Sequence, residues 1–103
     1  MISICSVDQI EEGKARSFEH AGKELIVAKQ DGEIYVYLNQ CPHLQIPLNW
    51  QPDDFMDADG ELLQCSTHGA LFLVKTGECI SGPCVGDALA PYPCRIEDNQ
   101  VKV

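Results

Sequence analysis

Two short motifs, each holding one cysteine and one histidine, constrain this chain more than any other feature of its sequence. Cys41 and His43 form C-x-H, and Cys65 and His68 form C-x-x-H, with twenty-one residues between the two motifs. Thiolate suits iron–sulfur chemistry, and imidazole suits iron or zinc. A mixed pair on each loop fits a two-iron cluster in which two cysteines bind one iron and two histidines bind the other. The motifs therefore predict one [2Fe–2S] cluster per chain, with these four residues as ligands.

A structural zinc site with the same four ligands is the alternative at this point. Zinc fingers usually place like ligands in pairs, such as C-x-x-C with H-x₃-H, so the mixed pairs favour the cluster. Two neutral histidines in place of thiolates leave the ligand set less negative, and such clusters run from about −150 to +300 mV, against about −400 mV for plant-type clusters with four cysteines.

Length and charge limit the class of protein. The 103 residues predict one domain over 1–103, and 45% of them are apolar, enough for a modest core. The formal net charge of −9 argues against nucleic acid and against an anionic membrane as partners. The charge would steer the chain towards a basic patch on a partner, although plain solubility explains it equally well.

The N-terminal sequence and the cysteine content point to a cytoplasmic protein. The first residues, MISICSVDQIEEG, have no basic region and no long apolar run, as a signal peptide would, and no apolar stretch is long enough for a membrane span. Six cysteines would suit a disulfide framework only in an oxidising compartment. A metal role is therefore the better first interpretation, although Cys79 and Cys84 are conceivable as a redox-sensitive pair.

The chain is expected to be all-β, with short strands joined by turns. Residues 23–30 and 33–38 flank Asp31-Gly32, which predicts a type I′ hairpin. In its second strand, Ile34, Val36 and Leu38 should face one side, and Tyr35 and Tyr37 the other. The other predicted elements are a strand over 16–20 before Ala21-Gly22, a hairpin of 93–97 and 100–103 around Asp98-Asn99, and a helical turn within 6–12.

Residues from 39 to about 85 differ from this pattern and hold both ligand motifs. We interpret them as a cluster-binding subdomain inserted into a small antiparallel β-sandwich base. Part of the segment, WQPDDFMDADGE over 50–61, resembles a calcium loop but lacks the full ligand pattern. A solvated hairpin tip is expected there, with an acidic docking patch as the alternative. Its carboxylates are Asp53, Asp54, Asp57, Asp59 and Glu61.

The residues around the motifs resemble the Rieske-type ferredoxin family. CPHLQIPL over 41–48 matches the family's first cluster loop, CSTHGALF over 65–72 its second, and KTGECISGP over 75–83 its proline loop. The resemblance implies a Rieske fold of three small antiparallel sheets, with the cluster at the tip. It further implies that His43 and His68 lie nearest solvent, that Leu44 shields the cluster and that Pro83 closes over it.

Differences from the respiratory members of that family carry a prediction about potential. Ile46 and Thr67 stand where those proteins have a cysteine in each loop, and Ala70 and Phe72 where they have Ser and Tyr hydroxyls. Hydroxyl donors near a cluster sulfur stabilise the reduced, more negative state. Their absence predicts a midpoint potential towards the low end of the Rieske range.

The resemblance implies a soluble one-electron carrier between a flavin reductase and a terminal oxygenase, acting as a monomer and with no catalytic site of its own. One alternative is the small subunit of an assimilatory nitrite reductase, although those subunits commonly lack the ligands. The other is a non-redox zinc or interaction module. The remaining cysteines, Cys5, Cys79, Cys84 and Cys94, are expected to be small buried hydrophobes. Trp50, Tyr35, Tyr37 and Phe72 are expected to pack the core or shield the cluster.

Overall fold

Three small antiparallel sheets make up the protein. The structure, a computed structural model, describes residues 2–42, 46–49, 55–57, 59–66 and 69–103. In the described residues the strands are β1 (Ser3–Ser6), β2 (Ala15–His20), β3 (Lys23–Gln30), β4 (Glu33–Leu38), β5 (Leu62–Gln64), β6 (Leu71–Leu73), β7 (Cys79–Ser81), β8 (Arg95–Glu97) and β9 (Gln100–Lys102). The base sheet has the order β1-β9-β8, the central sheet β2-β3-β4 and the third sheet β5-β6-β7. The all-β prediction and the three-sheet expectation are both confirmed.

Two-residue turns with positive φ close the hairpins. Asp31 and Gly32 have φ of 54° and 77°, as a type I′ turn requires, and the strands on either side have the predicted bounds. The same geometry recurs at Ala21 and Gly22, with φ of 53° and 77°, and at Asp98 and Asn99, with φ of 51° and 62°. The strand before Asp98 begins at Arg95 rather than at 93, and the predicted helical turn is a 3₁₀ turn over Val7–Gln9.

The central sheet separates two hydrophobic cores. The base core lies between the central and base sheets, and the site core lies between the central and third sheets. Side chains alternate along a strand, so Leu25 and Val27 of β3 enter the base core, while Ile26 and Ala28 enter the site core on the opposite face. Strand β4 follows the predicted alternation: Ile34, Val36 and Leu38 pack with the base core, and Tyr35 and Tyr37 with the site core. The base core also contains Cys5, Ile10 and Val101.

Tyr37 fastens the third sheet to the central sheet. Its hydroxyl donates a 2.6 Å hydrogen bond to the carbonyl of Val74, just after β6. A Cβ added at Gly77, whose φ is +76°, would lie 2.8 Å from Cε1 of the Tyr37 ring. Burial, helped by the nearby Tyr35, raises the pKa of Tyr37 to about 12. The turn after β6 therefore closes directly on this buried ring, and the third sheet is held in place beside the ligand motifs.

Candidate metal centre

The first ligand motif begins a loop that turns back on itself directly after β4. The backbone N–H of Cys41 donates to the carbonyl of Ile46 at 2.7 Å, which closes the loop over six residues. The Cys41 side chain has no exposed surface. Burial on this scale places a thiol where a metal-bound sulfur would be shielded from water.

Asn39 holds the two ends of this loop together. Its Oδ1 accepts a 2.8 Å hydrogen bond from the backbone N–H of Leu48, and its Nδ2 donates to Glu24 and to Asn49, both at 2.9 Å. Only 7% of the residue is exposed, and it is the one buried polar residue of the described part of the chain. In the sequence, Asn39 is marked only by its position between a predicted strand and a ligand motif.

The second motif forms a similar closed loop between β5 and β6. The N–H of Cys65 donates to the carbonyl of Ala70 at 2.9 Å, and the N–H of Gly69 donates back to the carbonyl of Cys65 at 2.8 Å. Cys65 and Ala70 both have no exposed surface. Two hydrogen bonds within six residues hold the backbone on either side of the predicted ligands in one arrangement.

The structure brings the two loops together. The N–H of Ser66, next to Cys65, donates a 2.7 Å hydrogen bond to the carbonyl of Leu48 in the first loop. Cys41 and Cys65 belong to the same buried cluster, which also includes Leu48 and Phe72. Residues separated by more than twenty positions in the sequence thus meet in one apolar environment, as the sulfur side of a two-iron cluster requires.

The histidines of the predicted ligand set, His43 and His68, lie outside the described residues, as do Leu44, Trp50 and Thr67. Among the residues that are described, no group of three or more His, Cys, Asp or Glu side chains forms a metal site. The structure therefore describes only the cysteine half of the set. Two fully buried thiols on hydrogen-bonded loops fit that half, because thiolate is the ligand that iron–sulfur chemistry selects.

A third segment covers the two loops. Gly82 has φ of +101°, and a Cβ there would lie 2.8 Å from Cα of Ala70, so the segment presses against the second loop. Two residues on, the Cys84 thiol lies within hydrogen-bond distance of the Cys79 thiol, at 3.0 Å, and beside Cys41. Burial, followed by these two neighbours, raises the pKa of Cys84 to about 12. Pro83 lies between them and is exposed.

The prediction of a low midpoint potential depends on Ala70 and Phe72, neither of which has a side-chain hydroxyl. Ala70 and Phe72 are both completely buried in the site core. Apolar side chains at these two positions would offer a bound cluster none of the hydroxyl donors that stabilise its reduced state. The burial is consistent with the reasoning behind the predicted midpoint, which stays a prediction.

The described part of the acidic segment is a tight turn between Met56 and Leu63, which form an isolated β-bridge. Asp57 organises the turn: its Oδ1 accepts from the N–H groups of Glu61 and Leu62 at 3.0 and 3.2 Å. The expected hairpin tip is thus present over 55–57 and 59–63, and one of its carboxylates has a structural role. Asp53 and Asp54 lie outside the described residues.

None of the six cysteines, all of which lie in the described part of the chain, forms a disulfide. Of the four cysteines outside the ligand motifs, Cys5, Cys79 and Cys84 are buried as expected, but Cys94 is exposed, so the expectation was wrong there. Cys94 precedes β8, in a stretch of the chain that lies at the surface. No helix in the described residues has the length and apolar character needed to cross a membrane.

Comparison with known proteins places this arrangement in one domain family. Residues 1–93 match the Rieske [2Fe-2S] domain. The chain is 32% identical to the biphenyl dioxygenase ferredoxin subunit of Pseudomonas sp. (strain KKS102), over 96% of this chain and 86% of that protein. It is 31% identical to the ferredoxin component of the naphthalene 1,2-dioxygenase/salicylate 5-hydroxylase systems of Ralstonia sp., over 97% of this chain and 90% of that protein.

The fold agrees with this match. A solved structure of a Sphingomonas yanoikuyae B1 ferredoxin superposes with a TM-score of 0.79 at 29% identity, covering 99% of this chain and 95% of that one. Fold, sequence and buried cysteines together define an iron–sulfur protein of the all-β class. The chain belongs to the Rieske [2Fe-2S] family, and its cofactor is a [2Fe–2S] cluster.

Proposed function

We propose that this chain is a ferredoxin that carries one electron at a time from a flavin reductase to a terminal oxygenase. The observation that carries the proposal is the junction of the two cysteine loops through the hydrogen bond between Ser66 and Leu48, which unites two buried thiols in one core. The relatives named above are ferredoxin components of dioxygenase systems, and they support an oxygenase as the electron acceptor.

The proposed ligands are Cys41 and Cys65 for one iron and His43 and His68 for the other. The bound cluster would supply a one-electron acceptor and donor. The chain's own contribution is to hold the ligands at a constant geometry. The hydrogen bonds of Asn39, Ile46 and Ala70 keep the loops closed, so little reorganisation should accompany electron transfer.

Exposed apolar side chains next to the closing segment provide a surface for redox partners. Val85 is 62% exposed and Ile80 is 46% exposed, and both flank the segment that covers Cys41. A small apolar patch on a chain with a net charge of −9 suits brief docking to a partner with a basic rim. Transient redox complexes use small interfaces of this kind.

The proposal includes the organisation and location of the chain. It treats residues 1–103 as one domain in which about 39–85 form the cluster-binding subdomain. It places the protein in the cytoplasm, because six cysteines without a disulfide suit a reducing compartment. It also treats the protein as a monomer.

An EPR-monitored redox titration of anaerobically purified protein tests the proposal. A Rieske-type signal that appears on reduction, with a midpoint in the lower part of the range for such clusters, is the expected result. Electron transfer should then be measured by mixing the reduced protein with a Rieske oxygenase. A protein that holds zinc instead of iron, or a reduced cluster that passes no electron to any oxygenase or reductase tested, would refute the electron-carrier role.

A further inference from the structure

Cys79 and Cys84 place two thiols side by side in the site core. Their sulfur atoms lie 3.0 Å apart, and 2% of each residue is exposed. Cys79 is at the start of β7, and Cys84 lies in the segment that covers the first ligand loop. Two thiols at this separation need only a small movement to reach the bond length of a disulfide, about 2.05 Å.

The backbone between the two cysteines holds them side by side. The N–H of Cys79 donates to the carbonyl of Asp87 at 3.0 Å, and the N–H of Asp87 donates to the carbonyl of Cys84 at 2.9 Å. The backbones of both cysteines are therefore hydrogen bonded to the backbone of Asp87. A further bridge between Glu78 and Ala88 continues this pairing. The short distance between the two sulfur atoms is therefore supported by backbone hydrogen bonds as well as by the side-chain conformations.

We propose that Cys79 and Cys84 form a reversible disulfide when the protein meets a small peroxide. Both thiols are oxidised, each losing its hydrogen as the S–S bond forms. Hydrogen peroxide is reduced: its O–O bond breaks, and it leaves as two molecules of water. A small oxidant is required because the sulfurs are buried. Reducing-compartment disulfides are typically transient and redox-sensing, which agrees with a reversible bond here.

The disulfide would act on the cluster through Cys41. Cys84 lies beside Cys41, one of the proposed ligands, in the same buried core, and oxidation removes a thiol hydrogen from the surroundings of the ligand sulfur. Hydrogen bonds to a ligand sulfur stabilise the reduced cluster, so their loss lowers the midpoint potential. The disulfide itself does not depend on the proposed electron-carrier role, whereas its effect on the potential depends on the cluster.

The test uses the cluster-loaded Cys94→Ser variant, which removes the exposed thiol. Trypsin cuts after Lys75 and Arg95, so the peptide 76–95 then contains Cys79 and Cys84 as its only cysteines. The protein is treated with hydrogen peroxide, quenched, alkylated under denaturing conditions and digested without a reductant. We expect the mass of this peptide to be two hydrogens below that of the reduced peptide, with no alkyl group. After reduction with dithiothreitol and a second alkylation, the peptide should carry two alkyl groups.

The buried Cys5 of the base core is the internal control, because it has no partner sulfur among the hydrogen bonds of the described residues and should remain open to alkylation. Recovery of both Cys79 and Cys84 as alkylated thiols, or as sulfinic acids, would overturn the proposal. Cys79→Ser, which leaves Cys84 in place, should abolish the disulfide and the accompanying fall in midpoint potential. An oxidised pair with an unchanged midpoint would overturn its coupling to the cluster.

Discussion

The two cores on either side of the central sheet are built differently. The base core lies between strands of the central and base sheets, and its register follows from hairpins closed by two-residue turns. The site core lies against loops and three-residue strands, and it depends on hydrogen bonds from the Asn39 and Tyr37 side chains. The comparison teaches that the hairpins around the base core are specified locally, although β1 pairs with the distant β9, whereas the site core depends on particular side-chain hydrogen bonds between distant residues.

The largest effect is expected from loss of a proposed ligand. Cys41→Ala and Cys65→Ala should each abolish cluster incorporation, because a single remaining thiolate cannot complete the sulfur ligand set. Iron and acid-labile sulfide, measured per chain, should fall to background. Cys94→Ser is the matched control, since this thiol is exposed and lies outside the site core. Iron retained in full by Cys41→Ala would contradict the ligand assignment.

A next-largest effect on stability is expected at Gly77. Gly77→Ala would place a methyl group 2.8 Å from the Tyr37 ring at a φ of +76°, while Gly22→Ala meets nothing within 4 Å at a nearly identical φ of +77°. The backbone strain is therefore shared, and the difference reports the clash. Gly77→Ala should be less stable than Gly22→Ala by about 1–3 kcal/mol in urea unfolding. Equal stability would mean that the site core is less tightly packed than the contact implies.

Asn39→Leu should weaken the site core more than the base core. The substitution leaves the Leu48 N–H without its partner and costs about 1–3 kcal/mol for a buried donor. Amide hydrogen exchange should accelerate at Leu48 and Ser66, while β3 in the central sheet keeps its protection. Gln40→Ala, at the exposed neighbouring position, should change neither. Uniform acceleration across both cores would show that the two regions do not open separately.

Alkaline pH should act on the site core through Tyr37. The folded pKa of this phenol, about 12, lies above its ordinary value of 10.0, so the folded state retains the proton longer than the unfolded state. The associated stability is complete below pH 10 and is lost as the pH rises towards 12. Tyr37→Phe should show a smaller fall in stability over this interval. An unchanged pH dependence in the variant would assign the alkaline transition to another group.

The smallest effect is a shift in potential with little change in stability. Phe72→Tyr adds a hydroxyl to a fully buried residue beside the second loop, and donation to a cluster sulfur should raise the midpoint potential. Phe18→Tyr, in the base core, should leave the midpoint unchanged. Redox titration of both variants measures the two midpoint potentials. A fall in the Phe72→Tyr midpoint would remove the explanation for a low potential in the parent chain.

Sequence reasoning succeeded where structure is local. The turn at Asp31-Gly32 and the alternation along β4 depend on neighbouring residues, and both were predicted with the observed bounds. Strands β1, β5, β6 and β7 were missed, because they are short and no two-residue turn joins them to a neighbour, whereas the equally short β8 and β9 flank Asp98-Asn99. The pairing partner of β1 is also distant in the sequence, as Val101 is from Cys5. The role of Asn39 was missed because its hydrogen-bond partners lie 9 to 15 positions away in the sequence.

The sequence by itself determined the family and the cofactor and predicted the cysteines for the sulfur side of the cluster, because metal-ligand spacing and turn chemistry are written in consecutive residues. Only the tertiary structure decided how the loops meet, through Ser66 and Leu48, and which thiols become neighbours. Cys79 and Cys84 were only one conceivable pair until the Asp87 backbone placed their sulfurs 3.0 Å apart. Such contacts arise from the free energy of packing the whole chain, which no short segment contains.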